Sequence, residues 1–564
     1  MPVFRGFSDY QALRELVWLR NPGLYSHFRI LLCVFVGYDS FRFAICINLT
    51  NQQNNCVISL DAEAKKEYNK HRDFIKEGLT LTNILFAASE CVPFVKTGGL
   101  ADVVGALPKN LDKNRFDVRV IIPYYTCIPG RYRNFFHYRH HFYMDYAGKQ
   151  EHVGIMEYEF DGIKFYFVDN EYYFNGESPY SSDIHWDIER FTFFCKAVLA
   201  MMPVIGFHPE IIHCHDWQTG LIPVLLHSTF ATHPFYQGVK SIMTIHNLKF
   251  QGVWDIKAFK YNTGLPDYMF TPDKLEFHRD ANMLKGGLVY ADYITTVSET
   301  YAEEIKTPEF GENLNGLLGA RSASLRGIVN GIDYNLWDPM KDKKIGWNYN
   351  TGNYLQGKKE NKRILQEMVG LPQDNRVMVI GIISRLTDQK GLNLLGEVFE
   401  RFLDENTQFI VIGTGEPGYE NMFRYFAGRY PDRCSANICY NDELAHKLYA
   451  GADMMLVPSR FEPCGLTQLI SLRYGAIPLV RETGGLKDTV EPYNEFELTG
   501  TGFTFHDFWS ESFLGAVNYA KSVFFNHREN WNAMIRRGME KDFSWNTSAK
   551  QYEGMYEWLL GKNG

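Results

Sequence analysis

An α/β fold built from two series of parallel strands is what this sequence predicts, on three observations. Apolar runs recur between amphipathic segments from Thr82 onward, the alternation expected of a parallel sheet covered by helices on both faces. The runs fall into two sets separated by the linker-like segment Gly311–Ser324. Glycine-rich or charged turns follow several runs directly, where open α/β sheets place their ligands. Together they predict two facing Rossmann-like domains with a deep cleft between them, plus a small N-terminal extension.

The first set of strands is expected at Asn83–Ala88, Val118–Pro123, Lys164–Val168, Glu210–Cys214, Ser241–Ile245 and Tyr293–Val297. The second is expected at Val377–Ile383, Phe409–Ile412, Ala436–Cys439, Met454–Val457 and Ile477–Val480. Domain bounds follow at 80–325 and 326–545, with a terminal helix in 546–564. Residues 1–79 differ in character. They read as a helix at Tyr10–Leu19, a strand pair at Arg29–Val36 and Phe41–Leu49, and a polar stretch at Asp61–Glu77. No function is assigned to them.

Bulk properties bound the answer. At 564 residues the chain is too long for one core. Hydrophobic content of 45% and charged content of 22% are globular values, and a formal net charge of -8 argues against a nucleic-acid partner. Ten scattered cysteines show no Cys-x-x-Cys pair and no metal-type spacing with histidine, so reduced thiols in a cytoplasmic enzyme are expected. The early apolar run Ile30–Gly37 is far shorter than the roughly 20 residues of a membrane span. Neither a signal peptide nor a membrane partner is expected.

The most informative stretch is Lys96-Thr97-Gly98-Gly99-Leu100-Ala101-Asp102, which follows the run Ile84–Ala88 and opens a helical pattern. Adjacent glycines let backbone N–H groups approach an anion, and a helix N-terminus adds partial positive charge. Lys96 adds a full one. The stretch reads as a phosphate seat, the alternative being a βα turn that binds nothing.

Gly413-Thr414-Gly415-Glu416-Pro417-Gly418 matches a dinucleotide pattern, but it lies mid-series and a proline interrupts it. A turn lining a nucleotide pocket is the better reading. After the strand Val377–Ile383 come Arg385 and Lys390, two cations suited to a departing diphosphate or, alternatively, a solvated basic turn. After Met454–Val457 comes Ser459-Arg460-Phe461-Glu462-Pro463-Cys464-Gly465-Leu466-Thr467. Glu462 there can grip sugar hydroxyls, and the N–H groups of Gly465, Leu466 and Thr467 can face phosphate. The alternatives for Glu462 are a helix cap or a surface turn. Thr483-Gly484-Gly485 repeats the first glycine turn, with binding and a plain tight turn equally open. In the first half, His213-Cys214-His215-Asp216-Trp217 and His246-Asn247 end strands and suit a polyhydroxyl ligand. No zinc-type spacing accompanies them.

These segments together resemble the bacterial glycogen synthase and plant starch synthase family. The resemblance runs from about Thr82 to Leu560. It rests on K-T-G-G-L-A-D-V at 96–103, H-D-W at 215–217, I-H-N at 245–247, A-D-Y-I-T-T-V-S at 291–298, T-P-E-F-G at 307–311, N-G-I-D at 330–333, S-R-L-x-x-Q-K-G at 384–391, S-R-F-E-P-C-G-L-T-Q at 459–468 and T-G-G-L at 483–486. The resemblance implies the GT-B fold, with a final helix, here Ala549–Leu560, crossing back to the first domain. It implies transfer of glucose from ADP-glucose to the non-reducing 4-OH of an α-1,4-glucan, with retention and with no metal or other cofactor.

By position it implies Lys96, Gly98, Gly99 and Asp102 near the donor, and His246 near the transferred glucose. Asp216, with Trp217 and Asn247, would serve the acceptor side. Arg385 and Lys390 would neutralise the diphosphate, and Glu462 would face developing charge at the anomeric carbon. Gly465, Leu466 and Thr467 would offer backbone donors, and Tyr440 would stack on adenine. The sequence departs from the family pattern at Glu299, at Cys439 and in the loop Gly311–Gly316. Two other readings stand beside this one: a GT-B transferase using UDP-glucose or another acceptor, and a catalytically silent glucan-binding scaffold.

Overall fold

The structure, a computed structural model, describes residues 30–38, 41–52, 55–59 and 81–562. It divides into two units, Met1–Leu81 and Thr82–Gly564. In the first unit, β1 (Ile30–Tyr38), β2 (Phe41–Gln52) and β3 (Asn55–Ser59) form an antiparallel sheet in that order. The expected strand pair is thus present and a third strand joins it. The expected helix Tyr10–Leu19 and the polar stretch Asp61–Glu77 lie outside the described residues.

The second unit holds two lobes. Strands of the first are β4 (Thr82–Ala87), β5 (Phe116–Pro123), β6 (His137–Tyr146), β7 (Lys149–Phe160), β8 (Ile163–Asp169), β9 (Ile211–His215) and β10 (Lys240–Ile245). After them come the short β11 (Val253–Asp255), β12 (Glu276–Phe277) and β13 (Asp280–Asn282), then β14 (Tyr293–Thr296) and β15 (Leu325–Gly327). The nine-stranded sheet runs β15-β14-β10-β9-β4-β5-β8-β7-β6, and β11-β13-β12 form a separate small sheet. The second lobe carries β16 (Met378–Ile383), β17 (Thr407–Ile412), β18 (Cys434–Asn437), β19 (Met454–Val457), β20 (Ile477–Arg481) and β21 (Phe503–Phe505), ordered β18-β17-β16-β19-β20-β21.

Central strands are the continuous apolar runs. Ile84, Leu85, Phe86 and Ala87 of β4 are fully buried, as are Phe409, Ile410 and Val411 of β17. A parallel strand covered on both faces has no solvent side and so no alternation. The first sheet corrects the purely parallel expectation. β6 and β7 form an antiparallel hairpin that pairs antiparallel with β8. Met144 and Tyr146 of β6 are buried while Tyr143 and Asp145 are exposed. This one-sided alternation is the mark of an edge strand, and a search for apolar runs misses it.

The segment Gly311–Ser324 is a second correction. It is folded into the first lobe and does not link the lobes. Leu314 and Leu318 join the first core, and the Arg321 guanidinium donates to the carbonyls of Leu288, Val289 and Ala291 at 2.6, 3.0 and 2.8 Å. Glycine and asparagine there mark the turns around a short helix, Asn315–Ala320. The two cores divide between Ile328 and Ile332. The helix Trp545–Leu559 returns to the first lobe, where Trp545, Ala549, Tyr552, Met555 and Tyr556 complete its core. Arg115 of the first lobe anchors that helix through Glu553, at 3.0 Å, and Glu557.

Candidate active site

One cleft of about 1180 Å³ takes lining residues from both lobes. All fifteen sequence-predicted site residues line it: Lys96, Gly98, Gly99, Asp102, Asp216, Trp217, His246 and Asn247 from the first lobe, and Arg385, Lys390, Tyr440, Glu462, Gly465, Leu466 and Thr467 from the second. They stand beyond the carboxyl ends of β4, β9, β10, β16, β18 and β19, where an open α/β sheet leaves its crevices.

On the second lobe, Lys390 Nζ donates to Glu462 Oε2 at 2.6 Å, and Ser459 Oγ donates to the same oxygen at 2.8 Å. Glu462 is 8% exposed and serves as no helix cap. Gly391 turns the chain after Lys390 at φ +69°, so the lysine reaches across to β19's loop. Arg385 is exposed in the cleft, and its guanidinium makes no ion pair or hydrogen bond among the described residues. Tyr440 presents an exposed ring nearby. Gly413 and Thr414 line the same pocket, while Pro417 opens the helix Pro417–Arg429. The proline belongs to the helix start, which is why the dinucleotide-like pattern tolerates it.

On the first lobe, Asp216 sits in a left-handed backbone conformation, φ 56°. Its Oδ1 accepts from the His246 amide at 2.7 Å and the Asn247 amide at 3.4 Å. Burial raises the Asp216 pKa to about 7 against the lowering by those two amides. His246 is pushed down to about 3 by burial and its ring is hydrogen-bonded to His215, Nε2 to Nδ1, at 2.9 Å. His213 is a satisfied core residue, bonded to Tyr556 Oη at 2.8 Å and to Thr244. Trp217 is mostly a packing residue, edge-on to Phe191, with Gly252 leaving room for its ring.

The first glycine turn holds a residue the sequence reading missed. Glu90, buried in the cleft lining, accepts from the Thr97 amide and from Thr97 Oγ at 3.0 Å. A carboxylate therefore already occupies part of the anion seat. Burial raises its pKa, and the Thr97 and Gly98 amides lower it. Lys96 is committed too, to Asp102 Oδ1 at 2.8 Å. The only signal for Glu90 was its place one turn beyond the run Ile84–Ala88. The Thr483-Gly484-Gly485 turn is absent from the cleft lining and packs behind Glu462.

Two nucleotide-fold lobes that bring cations, a carboxylate and hydrogen-bonding strand ends to one cleft define a glycosyltransferase of GT-B architecture. Residues 83–320 match the family described as the starch synthase catalytic domain, and residues 366–536 match glycosyl transferases group 1. The glycogen synthase of Lachnospira eligens is 60% identical over 479 residues, 85% of this chain and 100% of that protein. The glycogen synthase of Lachnoclostridium phytofermentans is 55% identical over the same shares. The catalytic domain of starch synthase IV from Arabidopsis thaliana, solved bound to ADP and acarbose, matches with a TM-score of 0.78 and 32% identity, covering 85% of this chain and 99% of that one. The chain belongs to the glycogen synthase and starch synthase family of glycosyltransferases.

Proposed function

We propose that this cleft transfers glucose from ADP-glucose to the non-reducing 4-OH of an α-1,4-glucan, with retention and without a metal. The observation that carries the reading is the Lys390–Glu462 pair beside a free Arg385, facing Asp216 and His246 across one cleft. A relative of the same fold that holds ADP and acarbose supports both halves of the reading.

Arg385 and Lys390 take the diphosphate, the guanidinium in bidentate fashion and the ammonium as a point charge. Lys390 has three N–H donors, so it can hold Glu462 and a phosphate oxygen together. Glu462 meets the glucose and stabilises positive charge as the bond from C1 to the phosphate oxygen breaks. Preorganised charge of this kind is commonly the largest catalytic contribution. Neutral His246 bonds a glucose hydroxyl, and Asp216 orients the acceptor chain. The bond from C1 to the acceptor O4 forms on the face the diphosphate leaves, and the hydroxyl proton passes to the departing phosphate. Retaining hydrolases instead hold two carboxylates about 5–5.5 Å apart, and no second carboxylate is assigned that part here. Lys96, Gly98, Gly99 and Asp102 border the donor, Tyr440 stacks on adenine, and the amides of Gly465, Leu466 and Thr467 face phosphate. The seven cysteines between residues 81 and 562 are free, which accords with work in the cytoplasm.

Radiolabelled ADP-glucose and UDP-glucose, each supplied with glycogen primer to the full-length protein, test this. Incorporation at least tenfold faster from ADP-glucose is expected. Faster incorporation from UDP-glucose would reverse the donor assignment, and tight glucan binding without incorporation would favour a scaffold.

A further inference from the structure

The Thr483-Gly484-Gly485 turn lies behind the cleft and is fully engaged there. Gly484 N–H donates to both oxygens of Glu304, at 3.0 and 3.1 Å, and Thr483 Oγ donates to Glu304 Oε1 at 2.9 Å. Glu304 ends the helix Glu299–Glu304 of the first lobe. The junction is built the same way in the other direction. Asp488, on the helix Gly484–Thr489 of the second lobe, accepts from Thr300 N–H at 3.1 Å and from Thr300 Oγ at 2.5 Å. Each helix supplies the carboxylate that satisfies free N-terminal amides of the other.

On its far side the same turn touches Glu462. Gly485 N–H donates to the carbonyls of Glu462 and Pro463 at 3.2 and 3.1 Å. A Cβ on Gly484 would stand 2.1 Å from the Glu462 carbonyl oxygen, and one on Gly485 would stand 2.2 Å from that of Cys464. Both glycines are therefore required by close backbone approach. They fill the space between a first-lobe carboxylate and the main chain of Glu462.

We infer that Glu304 is a positioning residue: through the 483–485 turn, the first lobe sets where Glu462 stands against the transferred glucose. The inference rests on the assignment of Glu462 to that glucose. Truncating Glu304 leaves the Gly484 amide and Thr483 hydroxyl without their partner and frees the turn that holds the Glu462 and Pro463 carbonyls. A misplacement of about 1 Å can cost on the order of 10²-fold in rate. Arg385 leaves another strand and makes no contact with this turn, so ADP affinity is expected to fall by a smaller factor than kcat.

The test compares wild type with Glu304→Ala, Glu304→Gln and Thr483→Val as full chains. Glu304→Ala is expected to lower kcat at least tenfold while the ADP dissociation constant rises by no more than threefold. Glu304→Gln should recover kcat to within threefold of wild type, because one amide oxygen can take both bonds that Oε1 takes. Thr483→Val, which keeps the Gly484 bond, should fall between them and decides the matter if Glu304→Ala does not fold. A kcat for Glu304→Ala or Thr483→Val within twofold of wild type would overturn the inference. So would a glutamine variant as impaired as the alanine one, or an ADP affinity that falls in step with kcat. Hydrogen exchange of a peptide spanning 459–468 gives an answer independent of the donor. It should quicken at least tenfold in Glu304→Ala, or in Thr483→Val should that variant alone fold, and unchanged exchange sinks the inference. If wild type transfers no glucose, the functional reading fails while the exchange result still stands.

Discussion

Lys390 Nζ lies 2.6 Å from Glu462 Oε2, although the two residues stand 72 positions apart and leave different strands. The pair is largely desolvated, with side chains 17% and 11% exposed. Deleting one partner of such a pair strands the other charge, a loss of about 3–5 kcal/mol when burial is complete. Glu462→Ala is expected to lower kcat by at least about 10²-fold while ADP affinity stays within a few-fold, since electrostatic groups of this kind act mainly on the transition state. Lys390→Ala is expected to lower both kcat/KM and stability, and the double variant to be more stable than Lys390→Ala alone. Steady-state kinetics and urea unfolding read both, and near wild-type turnover in Glu462→Ala would refute its role.

Three histidines form a ladder under the first-lobe face of the cleft. The rings of His213 and His215 are 4.4 Å apart and those of His215 and His246 are 5.2 Å apart. Burial lowers the pKa of all three, to about 3 for His213 and His246. The unfolded chain then takes up protons near pH 6.5 that the folded chain refuses. Their contribution to stability is present above about pH 6.5 and is lost as pH falls toward 3. His246→Gln removes one such group. Its stability relative to wild type is expected to rise as pH falls through that window, and a pH-independent difference in urea midpoints would show that His246 is not held neutral.

Asp216 works with the opposite sign. Its folded pKa of about 7 lies above the ordinary 3.8, so the folded chain keeps a proton the unfolded chain releases. This group costs stability progressively as pH rises from about 4 to 7. Asp216→Asn keeps an oxygen for the His246 amide and removes the titration. Its stability relative to wild type should increase across that range, while kcat falls at every pH. A constant difference in unfolding free energy would contradict the raised pKa.

Gly391 and Gly418 make a matched pair. Gly391 has φ +69°, and a Cβ there would stand 1.9 Å from the Pro458 carbonyl oxygen. Gly418 lies in the helix Pro417–Arg429 with open space around its Cα. Gly391→Ala should cost at least about 2 kcal/mol through strain and clash, and should lower kcat/KM by moving Lys390. Gly418→Ala should be neutral or gain up to about 1 kcal/mol. Urea unfolding of both variants checks the contrast.

The inner strands were legible because they are buried on both faces. Val379, Ile380 and Ile382 of β16 have no solvent side, and an unbroken apolar run says so. The cleft residues were legible because an α/β sheet puts its ligand groups just beyond such runs, as Arg385 and Glu462 are placed. The hairpin His137–Phe160 was not, since an edge strand alternates and its exposed tyrosines and histidines hide the pattern. Neither was the role of the 483–485 turn, whose local sequence fits a binding loop and a packing loop equally.

Local chemistry, read along the chain, was enough to name the lobes, the two glycine turns and the charged groups at strand ends. Their reach to one another was decided by the fold. Lys390 turns to Glu462 across 72 positions, and Glu304 meets Gly484 across 180. Contacts so distant along the chain form only when whole sheets pack, because strand pairing and core burial, and no short-range preference, bring those side chains within hydrogen-bonding distance.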